Sequence, residues 1–251
     1  MIKLYVLYAG SIVCTDASQL NDKLTSPESI ALANPIFLIQ HPKGYLLWDT
    51  GLSDELIHEK GGVKNWIFQL RMDKTVAEQL NEIGVKPEDI DYLAFSHMHI
   101  DHTGNANVFK SSTVILQEKE YEVAFDTNNK PYNYSDYEEL KDSKIMIING
   151  DYDLFGDGTV QLIATPGHTA GHQSLLVQLQ ETGTVIISGD ISYYRESYEN
   201  NGIATFNVDK MKSRASLEKI KRLVEHHEAQ LWIQHDQTLF DSLILSPAYY
   251  Q

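Results

Sequence analysis

Between His97 and His102 the chain reads His97-Met98-His99-Ile100-Asp101-His102, three imidazoles and a carboxylate in one short stretch. Imidazole and carboxylate together are ligands of zinc and similar borderline cations. In a strand end or tight loop alternate residues point the same way, so His97 and His99 can grip one cation while Asp101 and His102 turn toward a second. Gly104 then lets the chain turn away. Packing would favour apolar side chains at these positions, and a solvated loop would rarely choose this set, so metal binding is the better reading. Two cations about 3.5–4 Å apart can hold a hydroxide between them. Metal binding lowers the pKa of water from 15.7 to about 7, so no serine or cysteine nucleophile is needed. The one cysteine, Cys14, reads as a small core residue.

Four short apolar runs must deliver ligands to one place. Asp91–Ser96 leads into His97, and Val160–Thr165 leads into Pro166-Gly167-His168. Thr184–Gly189 leads into Asp190, and Gln230–Gln234 into His235. Each potential ligand follows a strand, and open α/β sheets build their sites at the carboxyl ends of strands. Strand-like runs alternate with helical ones, which indicates an α/β protein. Ile36–Gln40 and Tyr45–Asp49 flank His41-Pro42-Lys43-Gly44 and read as a hairpin. Thr75 to Ile83 reads as a helix, with capping-box spacing between Thr75 and Glu78 and Gly84 as its stop. Ser213 to about His227 reads as a second, with Leu217, Ile220 and Val224 on its apolar face. The apolar segment from Gly62 to Phe68, with Trp66 and Phe68, has three readings: a cap over the site, a dimer contact, or a helix packed on the core, which is the most frequent fate.

The chain has 251 residues, long for one domain and short for two, and a single domain over 1–251 is expected. Hydrophobic residues make up 42% and charged residues 22%, a soluble globular composition able to bury a large core. No apolar run approaches the roughly 18 residues of a membrane span. Net charge is −15, from 20 Lys+Arg against 35 Asp+Glu. No run of Lys and Arg supplies the basic face that phosphate neutralisation requires, so nucleic acid is disfavoured as a partner. The N-terminus reads as a first strand rather than a cleaved signal, and cytoplasmic location is the default expectation.

His97-x-His99-x-Asp101-His102 resembles the signature of the metallo-β-lactamase superfamily. The rest of that pattern follows in order: Asp49 in Leu47-Trp48-Asp49-Thr50-Gly51, His168 in Thr165-Pro166-Gly167-His168, then Asp190 and His235. The resemblance runs from about residue 1 to about residue 240. It implies an αββα four-layer sandwich, two mixed β-sheets flanked by helices. It also implies two divalent metal ions, zinc first, with iron, cobalt or manganese as alternatives. His97, His99 and His168 would hold one ion, Asp101, His102 and His235 the other, and Asp190 would bridge them. Asp49 would orient the ligand loops, and His172 reads as a supporting or structural residue. The other histidines have bland readings: His226 and His227 end a charged helix, His41 sits in a turn and His58 in a polar stretch.

The di-zinc β-lactamases place a cysteine where this chain has Asp190, which disfavours antibiotic hydrolysis. A narrower resemblance is to the N-acyl-homoserine lactonases of bacteria. It is carried by Asp101-His102-Thr103-Gly104-Asn105, Tyr121-Glu122-Val123-Ala124, Gly150-Asp151-Tyr152, Gly167 to Leu175 and Asp190-Ile191-Ser192-Tyr193. It implies opening of a homoserine lactone ring by a metal-bridging hydroxide, with Asp101 and Tyr193 in catalytic positions. Tyr193 would hydrogen-bond the substrate carbonyl. Tyr194 is the adjacent alternative, and an ordinary packed aromatic is the bland reading. Ile100 stands where an aromatic is common in that family, so acyl-chain and ring preference are open. Ile100, Trp66 and Phe68 are expected in the substrate pocket, and the family's homodimers raise self-association. The second enzymatic expectation is a hydrolase of another lactone or of a thioester, as in glyoxalase II. The basic residues of a glutathione site are missing from Leu243 to Gln251. A metal-binding scaffold without catalysis is the non-enzymatic alternative.

Overall fold

Alternation in the first strand sorts the chain into layers. Along Lys3–Cys14, Leu4 and Val6 enter one apolar cluster while Tyr5 and Leu7 enter another, because successive strand side chains point to opposite faces. A computed structural model describes residues 1–126, 128 and 132–251.

The described strands form two mixed sheets. The first holds β1 (Lys3–Cys14), β2 (Ile30–His41), β3 (Gly44–Trp48), β4 (Val63–Asn65), β5 (Phe68–Arg71), β6 (Tyr92–Ala94), β7 (Thr113–Gln117) and β8 (Lys144–Ile148). Their spatial order is β4-β5-β1-β2-β3-β6-β7-β8. The second holds β9 (Tyr152–Asp153), β10 (Val160–Ala164), β11 (Gln173–Leu179), β12 (Gly183–Ile187) and β13 (Gln230–Trp232), in the order β13-β12-β11-β10-β9. β3, β6, β7 and β8 run parallel, as do β12 and β13, and the other pairs are antiparallel. The α-helices are α1 (Val76–Glu82), α2 (Ile100–Thr103), α3 (Glu118–Ala124), α4 (Arg195–Glu199), α5 (Lys210–His226) and α6 (Gln237–Ser242).

Between the sheets, Val6, Phe37 and Trp48 meet Leu162, Val177, Ile187 and Trp232 in one core. The outer face of the first sheet, with Leu7, Leu38 and Leu93, is covered by Val76 and Leu80 of α1 and Ala124 of α3. The outer face of the second, with Ile163, Leu176 and Ile186, is covered by Leu217 and Ile220 of α5. Each aliphatic side chain so buried contributes about 1.5–3 kcal/mol relative to exposure. Helix, sheet, sheet, helix is the αββα sandwich that the motif pattern implies. No helix among the described residues is long and apolar enough to cross a membrane.

Local readings hold with two adjustments. Thr75 caps α1 in a complete capping box, and Gly84 follows at φ 71°. α5 begins at Lys210, sooner than the apolar pattern suggests, because the Asp209 side chain accepts the Lys212 N–H at 3.0 Å. The segment from Gly62 to Phe68 is no helix. Val63–Asn65 and Phe68–Arg71 pair as an antiparallel hairpin on the edge of the first sheet, with Trp66 at φ 53° in its turn.

Candidate metal centre

The four strand ends converge. His97 and His99 follow β6, Asp101 and His102 lie in α2, His168 follows β10, Asp190 follows β12 and His235 follows β13. The Nε2 of His97 lies 2.8 Å from His99 Nδ1 and 3.1 Å from His168 Nε2, and His168 Nε2 lies 3.0 Å from His99 Nδ1. Asp190 presents its two oxygens in different directions. Oδ1 is 3.0 Å from His235 Nε2 and 3.2 Å from His102 Nε2, while Oδ2 is 3.4 Å from His168 Nε2 and 3.9 Å from His97 Nε2. Asp101 Oδ2 lies 3.7 Å from His235 Nε2 and 3.8 Å from His102 Nε2. Two donor groups, His97-His99-His168 and Asp101-His102-His235, therefore flank one carboxylate.

The donors fit cations. Three imidazole nitrogens facing one another cannot all be satisfied by protons, since a neutral ring donates from one nitrogen only. Their separations approach the roughly 3.3 Å edge of a tetrahedron whose ligand atoms lie 2.0–2.1 Å from its centre. His102 Nε2 is buried and, among the described residues, makes no well-aligned hydrogen bond, although Asp190 Oδ1 lies 3.2 Å away; a coordinated cation would satisfy it.

The rings' far nitrogens are held from outside. His102 Nδ1 meets Asp49 Oδ2 at 2.9 Å, His235 Nδ1 meets the Ala33 carbonyl at 2.8 Å, and His168 Nδ1 meets Asn207 Oδ1 at 2.9 Å. Each contact turns the Nε2 lone pair toward the centre. Asp49 is fully buried and also accepts the Ser96 N–H at 2.7 Å, the Ser96 hydroxyl at 3.0 Å and the Gln234 amide at 2.8 Å. It thereby ties the loops of His97, His102 and His235 together. His172 points both nitrogens elsewhere: Nδ1 lies 3.0 Å from the Thr165 carbonyl, and Nε2 accepts the Asp190 N–H at 2.8 Å. Asp49→Asn keeps the shape and loses acceptor capacity, so metal affinity should fall roughly 10–100-fold. Competition with a chromophoric chelator measures this; wild-type affinity would remove Asp49 from the support.

Electrostatics divides the groups. Burial holds His97 and His99 toward the neutral form and His168 down to about 4. A neutral ring is the form that ligates. At His102 burial is outweighed by the carboxylates of Asp101, Asp49 and Asp190, and at His235 by Asp190 and Asp101, so both shift upward. Burial would raise Asp190, but the facing His235, His102, His97 and His168 push it well below the usual carboxylate range.

Gly104 serves by closeness rather than by freedom to turn. Its φ is −53°, ordinary for any residue, but a Cβ there would lie 2.1 Å from the Ser53 nitrogen. Its N–H donates to the Gly51 carbonyl at 2.7 Å, so the α2 loop presses against the loop that carries Asp49.

A cleft of about 550 Å³ opens over the centre, lined by His99, Asp101, Asp190 and His235 at its floor. Ile100, Trp66 and Phe68, the residues expected in a substrate pocket, line it together with Ile12, Leu32 and Phe206. The turn of the β4–β5 hairpin thus lies at the cleft, with Trp66 57% exposed and its ring against Phe68 and Phe206. Tyr193 lines the cleft, with its ring stacked on His235 at 5.5 Å. Tyr194 does not line it, and its hydroxyl is buried in the protein beside Asn21. Cys14 is buried in the same apolar cluster as Tyr193, so it is a core residue close to the site in space. His41 is also more than a turn residue: it ends β2, is buried, and stacks on Phe155 at 3.9 Å.

The chain belongs to the metallo-beta-lactamase superfamily, whose family model matches residues 31–226. Within it the chain falls among the N-acyl homoserine lactonases. It is 31% identical to the N-acyl homoserine lactonase AttM of Azorhizobium caulinodans, over 99% of this chain and 98% of that one. It is 28% identical to the N-acyl homoserine lactonase AiiA of Bacillus thuringiensis subsp. kurstaki, over 98% of each. A solved N-acyl homoserine lactone hydrolase with the product N-hexanoyl-L-homoserine bound at its catalytic metal centre superimposes with a TM-score of 0.84, at 29% identity and 98% coverage of both chains.

Proposed function

We propose that the chain, acting as one domain over residues 1–251, hydrolyses the lactone ring of N-acyl homoserine lactones at two divalent metal ions, zinc first among them. The observation that carries this reading is the placement of Asp190 between two histidine groups at the floor of an apolar cleft. Kinship with lactonases over nearly the whole chain supports it. His97, His99 and His168 would hold one ion, Asp101, His102 and His235 the other, and Asp190 both. Bound there, the ions would supply a nucleophile from water at neutral pH and polarise the ring carbonyl.

The chain's own residues do the rest. Ile12, Leu32, Phe68 and Phe206 offer the acyl chain an apolar wall and exclude water from the floor. Tyr193 is 4% exposed and its ring is stacked on His235, so its place beside the metal donors is fixed by packing, ready to donate to the carbonyl oxygen. As that carbon becomes tetrahedral its oxygen gains charge, and a positioned phenol stabilises the transition state more than the ground state. Water adds across the acyl C–O bond, giving a hydroxyl and a carboxylate and releasing one proton at neutral pH. Asp101, at the floor of the cleft, is the carboxylate placed to carry that proton.

Tyr193→Phe should lower kcat roughly tenfold or more with metal content unchanged, while Tyr194→Phe should leave kcat as it is. Full activity in Tyr193→Phe would take the hydroxyl out of the mechanism. Against a thioester substrate stands the cleft itself: none of its described lining residues is Lys or Arg, so no cation awaits the carboxylates of a glutathione conjugate. Acid release on a panel of lactones of varied ring size and acyl length, run beside a glutathione thioester, tests the reading. Faster turnover of the thioester than of every homoserine lactone would overturn it.

A further inference from the structure

Outside the residues discussed so far, one buried carboxylate touches both loops of the first histidine group. Glu120, in α3, is 1% exposed. Its Oε1 accepts the N–H of Met98, the residue between His97 and His99, at 3.0 Å. Its Oε2 accepts the hydroxyl of Thr169, the neighbour of His168, at 2.7 Å and the Gly171 N–H at 3.0 Å. The Tyr132 ring lies 5.3 Å from the His99 ring.

Close backbone contact accompanies these bonds. A Cβ on Gly171 would lie 2.2 Å from the Glu120 nitrogen, so the His168 loop is pressed onto α3. Burial raises the Glu120 carboxyl, and the donors around it act in the opposite direction. A carboxylate in the interior is costly unless its oxygens are hydrogen-bonded, and these oxygens are met by donors from two separate loops. Asp49 and the Ala33 carbonyl hold His102 and His235, whereas among the described residues the carboxylate of Glu120 bonds to Met98, Thr169 and Gly171.

We propose that Glu120 is a positioning residue of the first metal site, fixing the spacing of His97 and His99 against His168, and that it leaves the second site largely untouched. The assignment rests on the two-ion reading above. It acts through backbone and hydroxyl groups, so its loss loosens ligand geometry rather than removing a ligand. Loss of such an outer partner costs roughly 10–100-fold in metal affinity.

The test is cobalt(II) titration of the metal-free protein, followed by its visible absorption and by binding stoichiometry. Wild type should take up two equivalents tightly. Glu120→Gln, isosteric but with an amide that cannot accept from both loops, should bind one equivalent as wild type does and the other at least tenfold more weakly, with an altered cobalt spectrum. Thr169→Val removes one donor to the same oxygen. It should give the same one-site pattern at smaller size, and it stands in should Glu120→Gln fail to fold. Glu120→Asp, which keeps the charge on a shorter arm, should recover part of the loss. Two tight equivalents in the first two variants, or equal weakening of both, would overturn the assignment while leaving two-ion binding intact. A wild type that binds fewer than two would overturn the two-ion reading, and the assignment with it.

Discussion

Asp190→Asn is expected to strip the protein of both ions at once and to abolish lactone opening. The aspartate is 3% exposed, with Oδ1 facing His102 and His235 and Oδ2 facing His97 and His168. Asparagine has nearly the same volume, so packing survives, and the backbone N–H still donates to His172. One acceptor, however, becomes an NH2 that donates and cannot ligate. The negative charge that offsets two cations is also lost. Both affinities should therefore fall by more than the roughly 10–100-fold that an outer partner costs, and turnover should follow occupancy. Metal analysis after desalting, with kcat on the same sample, measures this. Retention of two tight ions with normal turnover would place the bridge on another residue.

Chelation should have the second largest effect. The donors are drawn from four separate loops, and His97, His102, His168, Asp190 and His235 are each at most 3% exposed. A ligand that binds only the folded chain stabilises it by about 4 kcal/mol when present at a thousand times its Kd. Removing tightly held ions should therefore lower Tm by several degrees as well as abolish activity. Zinc should restore both, and calorimetry before and after a chelator reports it. An unchanged Tm with loss of activity would mean that the loops are held without the ions.

How much of this was legible in sequence follows from where the signal lies. His97, His99, Asp101 and His102 announce themselves because their spacing is local. His168, Asp190 and His235 are legible because each follows an apolar run that becomes a strand. Asp49 and the layered fold came from the family pattern, since nothing in Leu47-Trp48-Asp49 alone specifies burial. Glu120 was illegible because it sits among Glu118, Lys119 and Glu122, and one charged residue in a charged helix looks like a solvated face. Asn207 supports His168 from 39 residues away, a contact that only the fold creates. The β4–β5 hairpin was hidden because Trp66 occupies a left-handed turn position, where a bulky side chain is uncommon and Asn or Gly is the usual signal.

The most direct test of a two-ion lactonase is zinc titration of the metal-free chain, with acid release from an N-acyl homoserine lactone followed at every step. The predicted curve stays low through the first equivalent, rises with the second and is flat beyond two. Full activity at one equivalent, with no further gain from added zinc or cobalt, would contradict it.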